Sequence, residues 1–130
     1  MKITPFHPSH FAAIRPNYIE REVVDRVTPE YLANLAAEPS CTLWIDGRPM
    51  AVAGVIGDCE IWSLVDEEIR PHKFTLYRAA KKFLGEFGWL FANVDNRLNE
   101  GCRWLEHLGF QRVGVRERGG RHFIRYERAS

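Results

Sequence analysis

Two carboxylates, Asp58 and Glu60, stand where a turn at Gly57 gives way to an extended run, and either could accept a proton. A carboxylate beside a turn glycine is ordinarily solvated surface, so Glu60, inside the run, is the stronger candidate. His7 and His10 are three residues apart and could hold a metal on a helix. His72, His107 and His122 supply no third ligand nearby, so the pair reads as helix-start surface and no metal is expected. Cys41, Cys59 and Cys102 are odd in number and contain no CxxC pair, which argues for reduced thiols and against a disulfide scaffold or a zinc site. No His/Asp arrangement marks one of them as a nucleophile, so they read as small buried hydrophobes. Trp44, Trp62, Trp89 and Trp104 fall on strand or helix positions and read as core, with Trp62 able to line a cleft. Glu20-Arg21-Glu22 and Asp66-Glu67-Glu68 read as solvated charges.

The elements that must position these groups follow from the hydrophobic period. Lys2 to Phe6 is a short strand. Ser9 offers a helix cap, with Phe11, Ala12 and Ile14 behind it, and Pro16 interrupts that pattern before a second helical piece over Asn17 to Val27. Thr28-Pro29 caps and opens a third, whose apolar face is Tyr31, Leu32, Leu35 and Ala36, and Pro39 stops it. The period then changes. Thr42–Ile45, Met50–Ile56 and Glu60–Val65 are strands joined by turns, an antiparallel meander in which Gly54 marks a bulge or a close backbone approach. Pro71 to Phe87 is the longest helical candidate, with Phe74, Tyr77, Ala80, Lys81 and Leu84 along one face. Trp89 to Val94 is a strand. Asn96 or Asn99 caps a last helix to about Leu108, closed by Gly109, and a terminal hairpin turns at Gly119-Gly120. The fold class is α/β, a mixed sheet in the order β-α-α-β-β-β-α-β-α-β-β, with the Pro71–Phe87 helix crossing between two parallel strands.

Size and charge bound the function. The chain has 130 residues with 18 Lys+Arg against 17 Asp+Glu, a net charge of +1. That suits one domain over residues 1–130 and excludes a disordered, collagen-like or nucleic-acid-coating protein. No apolar run approaches the roughly 20 residues of a membrane helix, and the start lacks a signal-peptide core, so a cytoplasmic setting is expected. The charge is uneven. Residues 111–128 hold six arginines and two glutamates, +4, leaving −3 elsewhere. Arginines on the solvent face of a strand pair are the plainer reading; a basic edge for an anionic partner is the sharper one.

The element order, with the segment Asn99-Glu100-Gly101-Cys102-Arg103-Trp104-Leu105-Glu106-His107-Leu108-Gly109-Phe110, resembles the GCN5-related N-acetyltransferase (GNAT) superfamily. A narrower resemblance is to the small GNAT-like proteins of podoviruses, described as internal virion proteins or phage acetyltransferase-like proteins. It rests on the compact chain, Ile61-Trp62 and the basic run from Lys73 to Lys82. The superfamily resemblance implies transfer of an acetyl group from acetyl-CoA to an amine of a small molecule or protein. It implies that the pantetheine arm pairs with the backbone of Ser63, Leu64 and Val65. It places the pyrophosphate at the following helix start, near Arg70, His72, Lys73 and Thr75, and makes Asn99 the helix-opening Asn. Glu60 would be the base that takes the amine proton.

The chain departs from the family in four ways, one being that the usual Asn position falls on Leu98, between Asn96 and Asn99. Its phosphate loop usually reads Gln or Arg, two residues, Gly, one residue, then Gly or Ala; here Lys73 and Thr75 occupy the small positions. Leu105 stands where many members carry a thiolate-protonating Tyr. Asp66-Glu67-Glu68 sets acids where phosphates should come. The alternative is therefore a catalytically degenerate GNAT-like phage protein acting as a virion or host-interaction component, in the host cytoplasm or the particle.

Overall fold

The computed structural model describes residues 1–57 and 59–129. Asp58, weighed above as a proton acceptor, lies outside them. The contacts gather into two compact units, residues 1–79 and 80–130.

The first unit contains β1 (Lys2–Pro5), α1 (Pro8–Ala13), α2 (Tyr18–Val24), α3 (Pro29–Ala37), β2 (Ser40–Ile45), β3 (Arg48–Ile56) and β4 (Glu60–Val65). A 3-10 turn (Arg70–His72) then leads into α4 (Lys73–Leu84), which runs on into the second unit. The strands pair antiparallel in chain order, as the meander predicts, with β1 added at its edge. Asp46 and Gly47 turn the β2–β3 hairpin with φ of 53° and 78°, the left-handed pair that a two-residue hairpin needs. β3 has a neighbour on each side and reads as a nearly continuous buried run. Phe6, Phe11, Ile14, Leu35, Val52 and Leu64 form one core, with Val24, Leu32 and Trp62 packed against it. Directly paired strand residues share a face, so Val52 with Leu64, Gly54 with Trp62 and Ile56 with Glu60 put Glu60 and Trp62 on the core face of β4.

Helix starts follow side-chain caps. Asn17 Oδ1 accepts the Glu20 N–H at 2.9 Å and Thr28 Oγ1 that of Tyr31 at 3.2 Å. Ser9 is not a cap: Pro8 takes the first helical position, which moves the cap back to His7, whose Nδ1 accepts the Ser9 N–H at 3.1 Å. The second helical piece is shorter than expected, ending at Val24. Gly54 marks a close approach and no bulge: a Cβ there would lie 2.7 Å from the Pro39 carbonyl oxygen and 2.6 Å from Trp62 Nε1. The irregularity of this sheet falls between Leu43 and Trp44 instead.

The second unit contains β5 (Leu90–Asp95), α5 (Asn99–His107), β6 (Gln111–Arg118) and β7 (Arg121–Arg128), with β7 antiparallel between β5 and β6. Gly119 and Gly120, at φ 60° and 79°, make the terminal turn. Tyr126 is buried and donates its hydroxyl to Glu106 of α5 at 3.0 Å. Neither Asn96 nor Asn99 caps α5. Leu98 holds the cap position without a side-chain bond, and Asn99 is the first helical residue. The turn is set one step earlier by Asp95, which accepts the N–H groups of Arg97 (side chain, 3.0 Å) and Leu98 (backbone, 2.9 Å). α4 is also shorter than the Pro71–Phe87 expectation, and its buried residues are Leu76 and Leu84, one stripe spaced by eight; Phe74 is 72% exposed. Arg128 Nη2 closes it by donating to the Leu84 carbonyl at 2.8 Å.

Candidate functional site

The chain leaving β4 is fastened before it reaches α4. The Asp66 carboxyl is fully buried. Its oxygens accept the backbone N–H groups of Arg15 (3.0 Å) and Glu68 (2.9 Å), and Arg48 Nη2 lies 2.9 Å away. That last approach is ionic, since its alignment misses that of a hydrogen bond. Burial pushes the Asp66 pKa up, but the two N–H groups and the charges of Arg48 and Arg15 outweigh it, so the net shift is downward. Glu68 pairs with Arg15 at 2.8 Å and stands 3.6 Å from Arg48. The acidic run is therefore not the solvated triple charge the sequence suggested. Two of its three carboxylates face two arginines brought in from α1's end and from β3, and only Glu67 stands apart from that cluster.

This fastening also decides what the turn can offer an anion. The Glu67 N–H goes to the Arg15 carbonyl, that of Ile69 to Asp66, that of His72 to Ile69 and that of Lys73 to Arg70. Of the backbone donors that a glycine-rich loop would aim at a phosphate, those of His72 and Lys73 are thus engaged internally. The turn presents side chains instead: Arg70, His72 and Lys73 lie within four residues, with Lys73 exposed over the Phe74 ring. Arg70 and His72 also line an open cavity of about 430 Å³, with Ile45, Arg48, Met50 and Glu67.

The remaining candidates sit as follows. Ser63 is exposed, Leu64 buried and Val65 half-buried on β4; Thr75 is half-buried in the first turn of α4. Glu60 is half-buried at the start of β4. Asn99 is exposed at the start of α5 in the second unit, and Leu105 of the same helix is buried. Among the described residues no three His, Cys, Asp or Glu side chains gather to hold a metal, and no helix is long and apolar enough to cross a membrane. The three cysteines are half-buried thiols, and burial pushes Cys41 up to about 11.

One carboxyl escaped the sequence reading. Glu20, taken there as solvated, is half-buried beside Asn17, which donates to it at 3.1 Å, and burial pushes its pKa up to about 7. The Asn17-x-x-Glu20 capping spacing was the available signal. His10 likewise is no bare surface residue. Its Nδ1 accepts the His7 N–H at 3.2 Å and lies 2.8 Å from the hydroxyl of fully buried Thr42. Desolvation, and then the charge of His7, lowers its pKa.

No protein-family model matches the chain, and no curated protein matches its sequence. Solved structures do match. A Bordetella pertussis protein described as a GnaT-family acetyltransferase aligns with TM-score 0.72 at 17% identity, over 98% of this chain and 94% of that one. Ard1 of Thermoplasma volcanium aligns with TM-score 0.74 at 15% identity, over 98% and 96%. The aminoglycoside acetyltransferase AAC(6')-Ib, solved with coenzyme A, aligns with TM-score 0.65 at 13% identity, over 98% and 94%. At these identities the likeness speaks for architecture. The expected α/β class is borne out, and the three helical segments read before β2 are α1, α2 and α3. The chain therefore has the GNAT acyl-CoA N-acyltransferase fold.

Proposed function

We propose that the protein is an acyl-CoA-dependent N-acyltransferase that moves an acetyl group from acetyl-CoA to an amine. The observation that carries this reading is the neutralised turn after β4. Arg15 and Arg48 face Asp66 and Glu68, so Arg70, His72 and Lys73 follow a turn whose acids are largely offset. The coenzyme-A complex of AAC(6')-Ib on the same fold supports it. Ser63, Leu64 and Val65 would bind the pantetheine arm along β4. Arg70, His72, Lys73 and Thr75 would hold the diphosphate. Bound, the coenzyme supplies an acetyl group activated as a thioester. Glu60 takes the proton of the incoming amine from the start of β4, on the face that it shares with Trp62 and Leu64.

Calorimetry with coenzyme A tests the first half. Lys73→Glu is expected to weaken binding about ten-fold or more, since a charge-assisted contact is worth roughly 1.5–3 kcal/mol. Unchanged affinity would remove Lys73 from the site. Thiol release measured over a panel of amines and peptides tests the second half, with turnover lost in Glu60→Gln.

A second reading keeps the fold without the reaction: a degenerate GNAT-like phage protein acting in the virion or on a host partner, in the particle or the host cytoplasm. It is favoured by the engaged N–H groups of His72 and Lys73 and by buried Leu105, which has no proton to give a leaving thiolate. Absence of coenzyme-A binding and of thiol release would support it over the first.

A further inference from the structure

We infer that the outer edge of β6 binds an extended peptide segment in which acidic and apolar residues alternate, added as a further strand. β6 is the last strand of its sheet, paired on one side with β7 and on the other with nothing among the described residues. All its residues but Gly114 are exposed. Arg112, Arg116 and Arg118 form no ion pair among the described residues, so the strand offers three uncompensated guanidinium groups against one carboxylate, Glu117.

Charge on an edge strand often serves only to keep other strands away. Two features set β6 apart from such a guard. Val113 and Val115 are 51% and 54% exposed, apolar side chains that a guarded edge would exchange for polar ones. The second is how a bulge sorts the side chains. The register with β7 shifts between Arg112 and Gly114. Beyond it, Arg116 lies opposite Phe123 and Arg118 opposite Arg121, on one face. Val115 lies opposite Ile124 on the other, with Arg112 opposite Tyr126 there. One face of the edge beyond the bulge is thus cationic, and the other carries the exposed Val115 beside Glu117, which lies opposite His122. An added strand has side chains that alternate between the same two faces. Acids on one face and aliphatic residues on the other meet both, while backbone bonds to the edge supply the register. A second copy of β6 fits less well, because it would bring the same excess of positive charge to the contact.

The test is fluorescence anisotropy with a labelled octapeptide of alternating glutamate and valine, on the full chain. Three comparisons accompany it: the same peptide N-methylated at successive residues, a thymidine octanucleotide, and the double variant Arg116→Glu with Arg118→Glu, checked for native circular dichroism. The inference expects saturable binding of the peptide that weakens with salt. It expects at least ten-fold weaker binding of the methylated peptide and of the oligonucleotide, and loss in the variant. No binding of the peptide overturns it. Equal binding of the methylated peptide also overturns it, because charge alone would then explain the contact, and so does tighter binding of the oligonucleotide. These readouts are independent of coenzyme A, so they stand apart from the acyltransferase reading.

Discussion

Glu20 and Asp66 are two carboxylates whose surroundings push them in opposite directions, and each leaves a distinct mark on stability against pH. The raised Glu20 pKa means that the folded chain holds this proton more tightly than the unfolded one. Its contribution is fully present below the ordinary value near 4.5 and is lost as pH rises through about 7. Glu20→Gln, neutral throughout, should therefore be more stable than the parent at pH 8 relative to pH 4.5, by on the order of 2 kcal/mol. Thermal melts at the two pH values read this directly, and parallel shifts would show that burial does not control the group. Asp66 works the other way. Its lowered pKa gives stability that is present above its ordinary value near 3.8 and lost as pH falls through the folded value below it. Asp66→Asn should cost about 1–3 kcal/mol at pH 7, because the amide keeps one oxygen to accept the N–H groups of Arg15 and Glu68 and Arg48 loses its nearest anion, while Arg15 keeps Glu68. The difference should shrink as pH falls below the ordinary value near 3.8. Nothing in the run Asp66-Glu67-Glu68 distinguishes the buried acid from its exposed neighbours. That distinction depends on Arg15 and Arg48, far away in sequence. Glu20 was closer to legible, through its spacing from Asn17.

At the scale of elements, the strand β3 illustrates how a single position limits a fold. Gly54 sits where β3 passes the Pro39 carbonyl and the Trp62 ring. The carbonyl is backbone and has little room to give. Gly54→Ala should cost about 1–3 kcal/mol in denaturant melts, the range for overpacking, whereas Gly114→Ala, with open space around it, should cost far less. Equal losses would mean that the strands part easily. The sequence flagged Gly54 because a glycine in an otherwise apolar strand needs a reason. It placed the strands well because their period of two is local. Helix ends were harder. Ser9, Asn96 and Asn99 are all good cap residues by type, yet Pro8 and Asp95 decide where those helices begin. The apolar face of α4 was misjudged for a different reason. Phe74 is as hydrophobic as Leu76, and only tertiary packing decides which of them is covered.

For the whole molecule, the two units predict a graded resistance to opening. β3 is paired on both sides and buried, while β6 is paired on one side and exposed. Amide hydrogen exchange should be slowest in β3 and β4's core residues within the first unit. Within the second it should be slower in β7 than in β6. Uniform protection along the chain would contradict this. The architecture was legible from the order of periods and from the segment ending Leu108-Gly109-Phe110, both of which are properties of the chain itself. The chemistry was less so, because the turn after β4 depends on which backbone N–H groups are already taken, and no residue type announces that.

The knot around Asp66 has a kinetic meaning. It joins Arg15, Arg48 and the stretch from Asp66 to Glu68 by backbone bonds and ion pairs at once. A turn tied in this way has little order left to gain when a ligand arrives. An anion docking on Arg70 and Lys73 would find its receiving surface already assembled, and would not have to wait for a loop to close over it. Capture would then proceed at the pace of encounter, quickened by positive charge and slowed by salt, and the entropy of ordering the turn would already have been spent when the chain folded.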